Sequence, residues 1–99
     1  VVISVGARVV TGGKIPEWEE IAAVSCAVQN LMLSAHERGL GAYWSSPPVA
    51  CGGEFTRWLG LEGTHRMMGL VYLGWPQSDQ LPPPSTRGDL LDRVTWHDA

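Results

Sequence analysis

Glu17–Ser46, EWEEIAAVSCAVQNLMLSAHERGLGAYWSS, reads as a long helix, a glycine stop and a short strand. Pro16 suits a first-turn position, where its missing N–H costs nothing. Glu17, Glu19 and Glu20 place negative charge at the positive end of the helix dipole. The stop is equally marked: His36 and Arg38 lie in the last turn, and Gly39 sits where a left-handed cap is wanted. Between these signals Ile21, Val24, Val28, Leu31 and Ala35 recur at spacings of three and four, while Ala22, Ala23, Ala27, Met32 and Leu33 fill much of the remaining circumference. A helix apolar all round is expected at the centre of a fold or in a subunit interface. Its apolar run is too short for a membrane span and is interrupted by Ser25, Gln29, Asn30 and Ser34.

Upstream, Val1–Val5 is almost uninterruptedly β-branched, which predicts a strand buried on both faces. Ala7–Lys14, among Gly6, Gly12 and Gly13, reads as a loop, with continuation of the strand to Val10 left open. Downstream, Ala42–Ser46 is a short strand ended by Pro47 and Pro48. Val49–Gly53 reads as a loop, Glu54–Leu61 as a short amphipathic helix, and Gly63–Arg66 as a turn. Met67–Gly74, MMGLVYLG, is the second buried-strand candidate. Gln77–Arg87, with Pro82, Pro83 and Pro84 in a row, predicts an extended surface segment. Asp89–Trp96 reads as a helical turn or a terminal strand, VTW favouring strand. This order gives an α/β or α+β layer fold. Its helix and strands carry more apolar surface than so small a unit buries, which points to a second copy, to further chain, or to both.

The 99 residues suit one domain, with net charge −3 and scattered basic residues. That balance argues against nucleic acid or an anionic membrane as partner. Cys26 and Cys51 make no disulfide framework, and Cys26 is expected as a buried free thiol of a reduced, cytoplasmic protein. Val1–Val5 lacks the charge and cleavage site of a leader. There is no nucleophile elbow, phosphate loop or dinucleotide-binding glycine fingerprint. The spacings of Cys26, Cys51, His36, His65 and His97 match no metal site. Of the five tryptophans, Trp58 and Trp96 are expected as core or interface aromatics. Trp44 stands apart, at a strand end beside two serines. Backbone donors and hydroxyls there can meet a polar ligand edge while the indole covers its face. Arg87, after the proline-rich segment, is either a solvated charge or a phosphate ligand.

Three motifs resemble one family. Pro-x-Trp-Glu at Pro16–Glu19 leads into a helix with Cys-Ala-Val at Cys26–Val28. Ala-x-x-x-Gly-Leu-Gly-x-x-Trp follows at Ala35–Trp44, and Gly-Leu-Val-Tyr-Leu-Gly with a nearby proline at Gly69–Pro76. In this order and spacing they resemble the C-terminal half of FMN-dependent nitroreductases, especially the compact bacterial branch. The resemblance implies an α+β fold with a mixed central sheet around a long central helix. It implies an intertwined homodimer with FMN at the interface, reduced by NADH or NADPH and reoxidised by a nitroaromatic, a quinone or another small oxidant. Residues 1–99 would be the C-terminal part of a single domain, with 76–99 as a proline-containing extended tail. Trp44, Ser45 and Ser46 match the family's FMN-contacting segment. Ser34, Ala35, His36, Glu37, Arg38 and Gly39 match the stretch assigned to the nicotinamide nucleotide, and Arg87 matches an arginine near the flavin phosphate. Ser45 stands where the compact relatives carry arginine. The Arg-Arg-Ser-like phosphate grip of the family's other half has no counterpart in these residues, so the chain is expected to be a piece of a longer enzyme. A truncated, flavin-free dimer or small-molecule binding module is the alternative.

Overall fold

A computed structural model describes residues 1–61, 63–77 and 86–97. Three strands form one sheet in the order β1-β3-β2, with β1 at Val2–Arg8, β2 at Gly41–Ser45 and β3 at His65–Gly74. Both pairings are antiparallel. The mixed character expected of the family's sheet is therefore not carried by these three strands. One 21-residue helix, α1 (Glu17–Glu37), crosses a single face of the sheet. Two short helices, α2 (Pro48–Cys51) and α3 (Gly53–Trp58), connect β2 to β3, and a 3-10 turn follows at Leu90–Asp92.

Local chemistry accounts for the ends of α1. Pro16 occupies the N-cap position in extended geometry, one residue before the expected first turn, and the three glutamates lie in that turn. The Glu20 carboxylate accepts a hydrogen bond from the Val10 N–H at 3.0 Å and ties the preceding loop to the helix. At the other end Gly39 has φ 76°. The Leu40 N–H bonds the Ala35 carbonyl and the Gly39 N–H the His36 carbonyl, both at 2.9 Å. This is the Schellman arrangement, in which a residue without Cβ satisfies carbonyls the helix would otherwise strand.

The core sits between α1 and the sheet. Val5, Val28 and Val71 are its buried centre, with Ile3, Val24, Leu31, Met32, Trp44, Met68 and Leu73 packed around them. Only Val28 and Ala35 of α1 are buried, and Cys26, expected inside, is exposed. One helix on one sheet covers one stripe of its circumference, whatever the composition of the rest. The sheet behaves likewise. Val2, expected on a two-face-buried strand, is 57% exposed. It lies on the far face in register with Tyr72, itself opposite Tyr43; the two rings stack with centroids 6.3 Å apart. Trp58 and Trp96 are also exposed within this chain.

Other expectations shift at their boundaries. β1 runs on to Arg8, and Val9 adds a further bond to the Thr64 carbonyl. Pro47-Pro48 does end β2, but Pro48 also opens α2, where a loop was expected, because proline's fixed φ serves a first helical turn. Val94–Trp96 forms no strand and has no paired neighbour among the described residues; Asp89 instead caps the Leu90–Asp92 turn, accepting from the Leu91 N–H. Most of the expected proline-rich extended segment, residues 78–85, lies outside the described residues.

Candidate functional site

The end of β2 is positioned by an irregularity in β3. Val5 pairs with Gly69 but Gly6 pairs with Met67, so Met68 is an extra residue without a partner on β1. This is a β-bulge. The Met68 carbonyl, outside the regular pairing, accepts the Trp44 indole N–H at 3.0 Å. Gly69 follows at φ 115°, and a Cβ there would lie 2.2 Å from the Ser45 carbonyl oxygen. Only glycine permits both the positive φ and the approach of the β2 backbone. An isolated glycine within a strand pattern is the sequence signal for such a bulge; the reading of MMGLVYLG above did not use it.

Trp44, Ser45 and Ser46 are thus held by backbone. Trp44 pairs with Val71 and packs on the core, on the α1 face; Ser45 pairs with Leu70 and turns to the opposite face. Their side chains do not form one wall. Trp44 and Ser45 lie on a strand that is at the edge of the sheet among the described residues, with one row of N–H and C=O groups outside the ladder, and Ser46 follows just beyond its end. The indole N–H is committed to Met68, so the ring acts as a packed anchor rather than a donor to a ligand. Ser46 is exposed and Ser45 half-buried.

The Ser34–Gly39 stretch is the last turn of α1 and its cap. Ala35 is buried and its carbonyl is engaged in the cap. His36, Glu37 and Gly39 are exposed. The Arg38 guanidinium folds back along the helix, donating to the Ser34 hydroxyl at 2.5 Å and the Ser34 carbonyl at 3.3 Å. Trp75 lies over the cap, its ring 3.7 Å from where a Gly39 Cβ would stand. Only Leu40 and the first three residues of β2 separate this turn from Trp44, so the two expected ligand segments lie close together along the chain. Arg87 lies elsewhere, in a groove with Thr86, Gly88, Leu90 and Arg93. No described contact joins it to the β2 end. Among the described residues no cluster of His, Cys, Asp and Glu suits a metal ion, and no helix is long and apolar enough to cross a membrane.

Comparison with known proteins decides the family. The model of the nitroreductase family matches residues 3–75, from β1 through the end of β3. The chain belongs to the nitroreductase family. It is 32% identical over 77 residues to "Putative NAD(P)H nitroreductase YfhC" of Bacillus subtilis, covering 78% of this chain and 39% of that protein. It is 29% identical over 76 residues to "Putative NAD(P)H nitroreductase YdjA" of Escherichia coli K12, covering 77% of this chain and 42% of that one. A crystal structure of a nitroreductase-like family protein from Bacillus cereus superposes with a TM-score of 0.79 at 26% identity, over 99% of this chain and 51% of the other. The α+β nitroreductase fold is therefore established for the described residues. This nitroreductase chain spans about two fifths of the length of the curated relatives it matches.

The residues can be tested against FMN, the cofactor expected from the resemblance. The β2 end offers what the polar edge of an isoalloxazine needs: unpaired strand backbone and two serine hydroxyls, held by the bulge. It offers no positive charge for a phosphate, since Trp44, Ser45 and Ser46 are all neutral. The fit is to the ring edge, not to the phosphate.

Proposed function

We propose that this nitroreductase chain is part of an FMN-dependent oxidoreductase that takes hydride from NAD(P)H and reduces nitroaromatics, quinones or similar small oxidants. The observation that carries the reading is the family match over residues 3–75, supported by the edge-strand geometry at Trp44–Ser46. Bound flavin would supply the redox chemistry, as hydride acceptor and electron donor. The chain's own residues bind and orient. Trp44, Ser45 and Ser46 would meet the ring edge through backbone and hydroxyl groups, with Trp44 locked by its bond to Met68. The exposed His36 and the Ser34-braced Arg38 would meet the nicotinamide nucleotide, Arg38 as a charged donor to phosphate oxygens. Arg87 is assigned to the flavin phosphate. No side chain is required as acid or base in hydride transfer, in keeping with the lack of a triad in the sequence.

The working unit in this reading is a cytoplasmic homodimer. Support comes from α1, where Ala22, Ala23, Cys26, Ala27 and Leu33 lie exposed on faces the sheet does not cover. Burying that apolar surface between two copies is favourable by roughly 25 cal/mol per Å². The test is direct. The purified full chain should be yellow, should bleach on adding NADPH, and should recolour with a nitroaromatic or quinone. A colourless protein that FMN cannot reconstitute would leave only the flavin-free dimer or binding module. Light scattering that shows a folded monomer at micromolar concentration would remove the dimer.

A further inference from the structure

Arg38 holds one edge of its guanidinium in reserve. Its Nη1 donates twice to a single residue, to the Ser34 hydroxyl at 2.5 Å and to the Ser34 carbonyl at 3.3 Å. Ser34 stands one helical turn earlier, so the side chain is folded back along α1 and anchored at one nitrogen. Nε and Nη2 have no partner among the described residues. Their N–H groups run side by side along one edge of the guanidinium, the fork that grips two oxygens of one phosphate. Arg38 and Ser34 are both exposed, so that edge is open to solvent. The Ser34 anchor orders the side chain before a ligand arrives, which lowers the entropy lost on binding. Glu37 leaves the helix about 100° round from Arg38 and does not share its face.

Position along the fold selects the phosphate. The ring chemistry is assigned to the end of β2, at Trp44–Ser46, whereas Arg38 precedes the start of that strand. From Gly41 to Ser45 the strand advances about 13 Å, at roughly 3.3 Å per residue. In a nicotinamide dinucleotide the pyrophosphate is one ribose away from the nicotinamide. A phosphate on the adenosine 2′ oxygen lies beyond the pyrophosphate and a second ribose. A nicotinamide at the β2 end therefore brings the 2′-phosphate, rather than the pyrophosphate, toward the last turn of α1. Charge agrees, since a phosphate monoester carries close to two negative charges at neutral pH. Trp75 supplies a surface for the base. It is 78% exposed, and its ring lies over Gly39, the residue next to Arg38. Every nucleobase has a π-face that stacks on such a ring.

We infer that Arg38, positioned by Ser34, grips the 2′-phosphate of NADPH and makes this chain prefer NADPH to NADH, with Trp75 against the adenine. This rests on the nicotinamide-nucleotide reading of Ser34–Gly39 given above. The test is direct binding, by calorimetric titration of the full chain with adenosine 2′,5′-bisphosphate and with adenosine 5′-monophosphate at matched ionic strength. It needs neither flavin nor turnover. The bisphosphate should bind at least about tenfold more tightly, the worth of one charge-assisted bond. Arg38→Gln should bring the two affinities together. Ser34→Ala should lose much of the preference at an unchanged urea midpoint, and Ser34→Thr, which keeps a hydroxyl, should retain it. Trp75→Ala should weaken both ligands alike. Equal affinities in the parent chain, no binding of the bisphosphate, or a preference that survives Arg38→Gln would overturn the assignment. A folded Ser34→Ala with the full preference would remove the positioning role, and unchanged affinities in Trp75→Ala would remove the base contact. Flavin bleached equally well by NADH and NADPH would sink this inference and leave the oxidoreductase reading standing. A bisphosphate preference in a protein that FMN cannot reconstitute would do the reverse.

Discussion

Gly69→Ala perturbs the junction that holds β2 against β3. Two costs add. The first is backbone strain: φ 115° is foreign to residues with a Cβ, and such positions cost of order 1–3 kcal/mol. The second is overlap. The new methyl group would stand 2.2 Å from the Ser45 carbonyl oxygen and 3.0 Å from the Ser46 Cα, so β2 must retreat by about 0.8 Å to reach the 3.0 Å floor of real contacts. A retreat of that size stretches the ladder at Ser45 and Leu70 and the Trp44–Met68 bond, each worth about 0.5–1.5 kcal/mol. The sum is about 2–6 kcal/mol, centred near the upper end for single substitutions. Gly12→Ala is the internal control, because Gly12 also has a positive φ, 76°, but nothing stands within 4 Å of its added Cβ. It should lose only the strain, about 1–2 kcal/mol. Urea unfolding of both variants and the parent, with tryptophan fluorescence as probe, measures the difference. Gly69→Ala within about 1 kcal/mol of Gly12→Ala would refute the close approach.

Trp44→Phe removes the indole donor and leaves the Met68 carbonyl part-buried without its partner; unfolding should show a loss of about 1–3 kcal/mol. Flavin retained through gel filtration should fall further in Trp44→Ala than in Trp58→Ala at equal folded fraction, since Trp58 is 78% exposed and distant in sequence from the β2 end. Glu17→Gln breaks an ion pair whose side chains are both about half exposed, 51% and 47%. The expected cost is under about 1 kcal/mol, vanishing in high salt, as a double-mutant cycle with Arg66→Gln would measure. Gly39→Ala should lower stability by about 1–2 kcal/mol through strain at the α1 cap, read from the urea midpoint.

The ends of α1 were legible because they are written in local chemistry. Proline, three glutamates and a glycine specify where a helix starts and stops without reference to the rest of the fold, and Glu17–Glu37 followed them. The burial of α1 was not legible. Composition says how much of a helix could be covered, whereas coverage depends on what lies opposite, and here a single sheet face lies opposite. α2 escaped detection because four residues are too few to show a period. For the site, the residue types at Trp44–Ser46 pointed to a ligand only weakly, and the family resemblance gave them their roles. Their geometry depends on long-range pairing. That the Trp44 N–H is spent on Met68, and that Ser45 faces away from Trp44, follows from how β2 meets a bulge more than twenty residues later in the chain.

The extra residue in β3 also reverses parity along that strand. Residues directly opposite one another in a sheet share a face. Beyond the bulge the odd positions Gly69, Val71 and Leu73 face α1, through their pairing with Val5, Ile3 and Ala42. Before it the even position Arg66 pairs with Ala7 and reaches Glu17 at the start of α1, while Met67 joins Gly6 on the far side. One strand therefore obeys two opposite patterning rules. Deleting Met68 would exchange the faces of His65, Arg66 and Met67 together. Arg66 would be carried away from Glu17, and His65 would turn toward the helix. The tie between α1 and β3 thus hangs on that single insertion, and the strand cannot be re-registered without breaking it.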